Sequence, residues 1–164
     1  MKLTLALVAV GMTFGSAAFA SGPSQAEIAN CKAKLAAAHK AGSADLQISI
    51  TNLRKPTGHV LVSVYGEKCG GFPDKNELAV ANLKLTHAQA AKFVVEVPPG
   101  KYAVSILEDA NDDGKMNKKM IFLPAEGFGF SNDAMEPMGP PKFSAAAVIV
   151  PAPGVKTSIK TKYY

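Results

Sequence analysis

Between Asp109 and Asn117, oxygen-bearing residues recur at alternate positions: Asp109, Asn111 and Asp113, then Lys115 and Asn117 after Gly114. That spacing is what a hard divalent cation asks of a single loop. Calcium takes six to eight oxygen ligands, drawn from carboxylates, side-chain amides and backbone carbonyls. On this reading Asp109, Asn111 and Asp113 supply side-chain oxygens and Lys115 its carbonyl. Asn117 adds an oxygen directly or through water, and Gly114 permits the sharp turn. A helix-loop-helix calcium loop would need a bidentate glutamate where this chain has Met120. A strand pattern, not a helix, leads into the loop. A calcium site here is therefore of another kind and weak, with Glu108 or Glu126 as outside help. Lys115, Lys118 and Lys119 oppose it. The plainer reading, which the residues favour, is a turn held by its own Asp and Asn side chains. Calcium is the one cofactor that the residues point to.

The same stretch raises three other chemistries. Met116, Met120, Met135 and Met138 are four of the six methionines, and soft thioethers bind Cu(I). No histidine accompanies them, so filling of irregular gaps explains them better. Glu126 with Asp109 or Asp113 would make a hydrolytic carboxylate pair, but spacing in sequence does not give their separation. His39, His59 and His87 stand beside no nucleophile, and Ser131 lacks a G-x-S-x-G turn. Glu126, Phe128, Phe130 and Asn132, with Phe122 and Phe143 nearby, read as a ligand patch for a peptide, glycan or lipid. They also read as a satellite core pinning a long irregular segment, and that second reading is favoured.

Such a segment needs a scaffold. The chain opens with Lys2, an apolar run Leu3 to Val10, and Ala18-Phe19-Ala20 before Ser21. This is the pattern of a secretory signal, too short to span a bilayer. Residues 1–20 are thus expected to be removed, leaving an exported chain in the periplasm or outside the cell. No later run is long enough for a transmembrane helix, and the Lys-rich strand faces oppose a membrane β-barrel. The formal charge is +5, with the basic residues scattered and no aromatic-basic patch, which argues against nucleic acid. In an oxidising compartment, an even count favours a Cys31–Cys69 disulfide over two separate buried thiols, and it would stabilise the fold by roughly 3–4 kcal/mol.

Ser24-Gln25-Ala26-Glu27 is a capping box, and Ile28, Cys31, Leu35 and Ala38 follow at helical spacing, so residues 25–41 are expected to form a helix. From Asp45 the period changes to two. Leu46, Ile48 and Ile50 alternate with polar residues, and His59 to Tyr65 is read as their hairpin partner across Lys55-Pro56-Thr57-Gly58. Ala79 to Thr86 fits no single period. Phe93 to Val97 and Lys101 to Asp109 are strands joined by Pro98-Pro99-Gly100. Ala145 to Val150 reads as a central strand. Val155, Thr157, Ile159, Thr161 and Tyr163 alternate with Lys156, Ser158, Lys160 and Lys162. The turn before Tyr102 suggests a tyrosine corner. These elements make a mainly β chain: one antiparallel β-sandwich of about seven strands, residues 44–164, preceded by the helical segment 21–43.

Four pieces in order resemble an exported bacterial family, domain of unknown function 2141. They are Pro98 to Val104, the acidic loop Glu108 to Asn117, Leu123 to Asn132 (L-P-A-E-G-F-G-F-S-N), and Gly139 to Phe143 before a terminal strand ending in tyrosine. The resemblance covers residues 45–164. It implies a periplasmic or secreted sandwich of the prealbumin-like or immunoglobulin-like kind, and brings no activity. Asn117 stands where the family tends to carry Asp, and the N-terminal helix looks like an addition. The expectation is an exported, non-enzymatic binding or accessory module for a protein, peptide or glycan. The alternative is metal handling or hydrolysis seated on residues 109–132.

Overall fold

A computed structural model describes residues 25–54, 57–85, 90–119 and 123–164. The signal segment, Ser24, Lys55-Pro56, His87, Met120 and Phe122 lie outside these residues, as do the side chains of Glu27, Leu35, Ala38 and His39. The helix forms where its spacing predicts, α1 at Gln25–Ala41. Ile28 is its one buried side chain among those described, and Cys31 is half-buried. The burial seen among the described side chains is too little to hold a helix of this length to a protein body. The Cys31–Cys69 disulfide does, fixing α1 to a fully buried cysteine.

Among the described residues ten strands follow: β1 Ala44–Thr51, β2 His59–Gly66, β3 Ala79–Lys84, β4 Ala90–Val97, β5 Gly100–Asp109, β6 Lys118–Lys119, β7 Leu123–Pro124, β8 Gly127–Phe130, β9 Val148–Val150 and β10 Gly154–Lys160. A short helix, α2 Phe143–Ala146, precedes β9. One sheet has the order β10-β1-β4. The other runs β3-β2-β5-β8, with β9 also on β5. Both β8 and β9 use the same edge of β5, β8 at Ser105 to Glu108 and β9 at Gly100 to Tyr102. The small β6–β7 ladder stands apart.

Alternation explains why the two sheets meet. Leu46, Ile48 and Ile50 of β1, Val60, Val62 and Val64 of β2, Val104 and Ile106 of β5, and Ile159 of β10 belong to one buried cluster. Each comes from the apolar face of a period-two pattern, so apposing those faces removes both from water at once. The result is the expected sandwich. The strand count is higher than seven because several strands are very short.

Three local expectations need correction. β1 and β2 are not a hairpin: β1 pairs β10 and β4, while β2 pairs β3 and β5. The turn between them carries the chain from one sheet to the other, as do the proline corners Pro98-Pro99 and 151–153. Proline lacks the N–H that would continue a ladder, so the chain leaves the sheet there. The sandwich also contains one parallel pairing, Leu46 with Val155 through Thr51 with Lys160. The ambiguous stretch at Ala79 is the edge strand β3. The apolar run at Ala145 splits into α2 and β9, and β9 pairs β5 over only three residues.

The tyrosine corner is present. Tyr102 Oη donates to the carbonyl of Pro98 at 2.7 Å, and burial pushes the phenol up from its ordinary pKa. Because β2 and β5 are antiparallel, Gly66 and Tyr102 lie at the disulfide end and His59 and Asp109 at the other. The acidic loop leaves the sandwich at that far end.

Candidate functional site

β5 ends on two carboxylates of alternating face, Glu108 and Asp109, which are 1% and 2% exposed. A buried carboxylate must be fully supplied with donors. Asp109 turns into its own loop. Its Oδ2 accepts the N–H of Gly114 at 2.7 Å and its Oδ1 that of Asp113 at 3.3 Å. The backbone can curl back so far because Asp112 and Gly114 both take positive φ. Glu126, 4% exposed, closes the loop from β7's side. It accepts the N–H of Ala110 at 3.1 Å and that of Asn117 at 3.1 Å. The loop is thus clamped at entry and exit by one carboxylate, and Ala125 N–H donates to the Asn117 carbonyl at 2.7 Å.

Above this clamp the exposed side chains converge. Asn117 Nδ2 stands 3.3 Å from Asn111 Oδ1, 2.9 Å from Asp113 Oδ2 and 3.5 Å from Glu126 Oε2. Asn111 Nδ2 also donates to Asp113 Oδ2 at 3.1 Å, and Lys115 N–H to Asp113 Oδ1 at 2.9 Å. These donors, the Asn117 amide first, hold the Asp113 carboxyl below its ordinary pKa. Asn111, Asp113 and Asn117 therefore share one centre. Asp109 faces the loop backbone beneath it. Lys115 contributes its N–H to that network, where the calcium reading had used its carbonyl. Among the described residues, no three His, Cys, Asp or Glu groups are arranged to hold a metal ion. An ion seated here would thus depend on the asparagine oxygens as well as carboxylates.

Two features beside the loop escaped the sequence. His59 Nδ1 bonds Asp112 Oδ1, tying β2 to the loop tip. Glu108 accepts from Arg54 N–H at 3.0 Å and from the Tyr163 hydroxyl. Arg54 covers the Tyr163 ring, with Cζ 4.3 Å from its centroid. Burial, and then the bond to Glu108, push the Tyr163 phenol well above its ordinary pKa. Only the strand alternation of Tyr163 hinted at this, by placing it on the inward face.

The four residues read as a ligand patch have internal partners. Glu126 is the loop clamp. Phe128 and Phe130 are 7% and 8% exposed and lie edge-to-face at 5.9 Å. Phe130 meets Phe72 at 5.7 Å, and Phe72 meets Phe143 and Tyr65. Asn132 donates to the carbonyls of Ala145 and Ala147. Its neighbours are held too, as acceptors: Ser131 Oγ accepts Val104 N–H at 2.9 Å and Asp133 Oδ1 accepts Lys160 N–H at 2.7 Å. The segment is a clasp joining β5, α2 and β10. Met135 packs into the aromatic cluster, whereas Met138 is 94% exposed and Met116 lies in the acidic loop.

No curated protein and no solved structure matches the chain. A family model does, over residues 48–158, spanning β1 to β10 and including the acidic loop and the clasp. On that match, the chain belongs to the family described as an uncharacterized protein conserved in bacteria, DUF2141.

Proposed function

We propose that this chain is an exported, non-enzymatic binding module whose acidic loop is stiffened by a weakly held calcium ion. The observation that carries the calcium reading is the position of the Asn117 amide. Its nitrogen sits among oxygens of Asn111, Asp113 and Glu126, all within 3.5 Å. A half-turn of that amide brings its own oxygen to the same centre, giving four side chains around one point. A cation there would replace the amide N–H as the positive partner of those oxygens. Lys115 and Lys118 nearby, and the absence of a bidentate glutamate at Met120, keep affinity low. Millimolar binding is the range of extracellular calcium modules.

Export rests on the leader pattern of residues 1–20 and fits a disulfide that closes a long loop. The binding role rests on what the carboxylates do. Glu126 and Asp109 are each committed to two backbone N–H groups, an arrangement that holds shape and offers no spare acid or base.

Calorimetric titration with calcium to about 10 mM tests the loop, with side-chain amide NMR on Asn111 and Asn117. At tenfold excess over Kd the gain in stability is about 1.4 kcal/mol. Asp113→Asn is expected to abolish the response. No heat, no change in melting temperature and unmoved Asn amides would end the calcium reading. The mass of the protein recovered from the cell envelope tests export, and an intact Met1 would overturn it.

A further inference from the structure

At the end of the sandwich opposite the acidic loop lies a cleft of about 730 Å³. One side is α1, through Asn30, Cys31 and Lys34; the rest is Gly66 to Cys69, the Pro98 to Tyr102 corner, and Ile149 of β9. The size is that of small-molecule sites, roughly 300–1,000 Å³. Its lining has two chemistries. Pro98, Pro99, Tyr102 and Ile149 are apolar, and Ile149 leaves 67% of its surface exposed on a strand of only three residues. Lys34, Lys68 and Lys101 are set against a single carboxylate in the lining, Glu67. That carboxylate is taken: Lys101 Nζ lies 3.2 Å from Glu67 Oε1. The remaining positive charge, on Lys34 and Lys68, comes from α1 and from the β2–β3 loop.

We propose that this cleft binds a small anionic amphiphile, a carboxylate or sulfate head on an apolar chain or ring. The head pairs with Lys34 and Lys68, and the body lies against Pro98, Pro99 and Ile149. The inference deepens the binding-module reading and is independent of the calcium loop. It also gives the disulfide a second role. α1 has one buried side chain among those described, so Cys31–Cys69 is what keeps Lys34 and its wall beside the cleft.

Amide NMR of the purified protein with decanoate, below its micellar concentration, tests the site. Shifts are expected at Asn30 to Lys34, Gly66 to Cys69, Lys101, Tyr102 and Ile149, with the Asp109 to Asn117 amides unmoved. Neutral decanol is expected to bind about tenfold more weakly, and Lys34→Glu with Lys68→Glu to weaken decanoate by about tenfold or more. Lys156→Glu with Lys160→Glu, on β10, leaves binding unchanged. Cys31→Ser is expected to lose binding while the loop amides keep their positions, which reports an intact sandwich. Scattered shifts, equal binding of decanol, or indifference to the Lys34 and Lys68 reversals overturns the proposal. So does full affinity in Cys31→Ser. Calcium moves a separate set of amides, so failure of one reading is distinguishable from failure of the other.

Discussion

At Glu126 one side chain holds both ends of a loop. Its two N–H partners, Ala110 and Asn117, sit sixteen and nine residues away in sequence. Hydrogen bonds to a charged acceptor contribute roughly 1.5–3 kcal/mol each, and unfilled buried donors cost about as much. Glu126→Ala should therefore destabilise the protein by about 2–4 kcal/mol in urea denaturation, and Glu126→Gln by clearly less. Asp113 is fully exposed, and its effect is on loop order. Its lowered pKa means that folding favours the ionised form. The stabilisation is present above the ordinary aspartate range and is lost as pH falls through the lowered value. The Asn117 side-chain amide, followed by NMR from neutral pH into acid, should shift with a midpoint below that of a free aspartate. Tyr163 has the opposite sign. Its raised pKa means that folding favours the protonated phenol, so its contribution holds below about pH 10 and fades as pH climbs toward the raised value. Melting temperature should fall on raising pH above about 10, and the slope should be shallower in Tyr163→Phe.

β8 shows how a short element can be fixed by what it lacks. Its sequence, Gly127 to Phe130, alternates glycine with phenylalanine, and the two faces do different work. The phenylalanines join the aromatic cluster. The glycines let the C-terminal strand approach. A Cβ on Gly127 would stand 2.5 Å from a Tyr163 ring carbon and 2.6 Å from Thr161 Cγ2. One on Gly129 would stand 2.7 Å from Ile159 Cγ2. Overpacking of this kind costs about 1–3 kcal/mol. Gly127→Ala should lose that much stability in urea, with the aromatic face intact by near-ultraviolet circular dichroism. A neutral result would mean that β8 and the C-terminal strand are not in the contact described.

On the scale of the whole molecule, the two ends of the sandwich are built differently. The loop end is held by buried carboxylates on backbone N–H groups, and the helix end by a covalent bond. Removing a link that closes a loop of this length costs roughly 3–4 kcal/mol in the chain-entropy model. Reduction, or Cys31→Ser with Cys69→Ser, should lower stability by that amount. It should also cost far-ultraviolet helical signal before the sheets unfold, because Ile28 is the one buried side chain of α1 among those described. An unchanged helical signal in the double variant would show that packing, not the bond, holds α1.

Much of this was legible in the chain order. The helix, the inward faces of β1, β2, β5 and β10 and the tyrosine corner all follow from local rules, whereas the cysteine pair was expected only from an even count in an exported chain. Side chains alternate every residue in a strand and return every three to four residues in a helix, whatever the partner. The acidic loop was legible as a place, but not which of its side chains meet: Asn111, Asp113 and Asn117 share one centre, whereas Asp109 is spent on the loop backbone and Asp112 on His59. Partner choice was not legible. Whether β1 pairs β2 or β10 depends on where proline corners send the chain, and both arrangements bury the same apolar face. Nor could spacing show that Glu126 and Glu108 are buried, that Gly127 and Gly129 admit Tyr163 and Ile159, or that α1 and Ile149 flank one cleft. Those depend on residues far apart in sequence, and only the apposition of the two sheets brings them within reach.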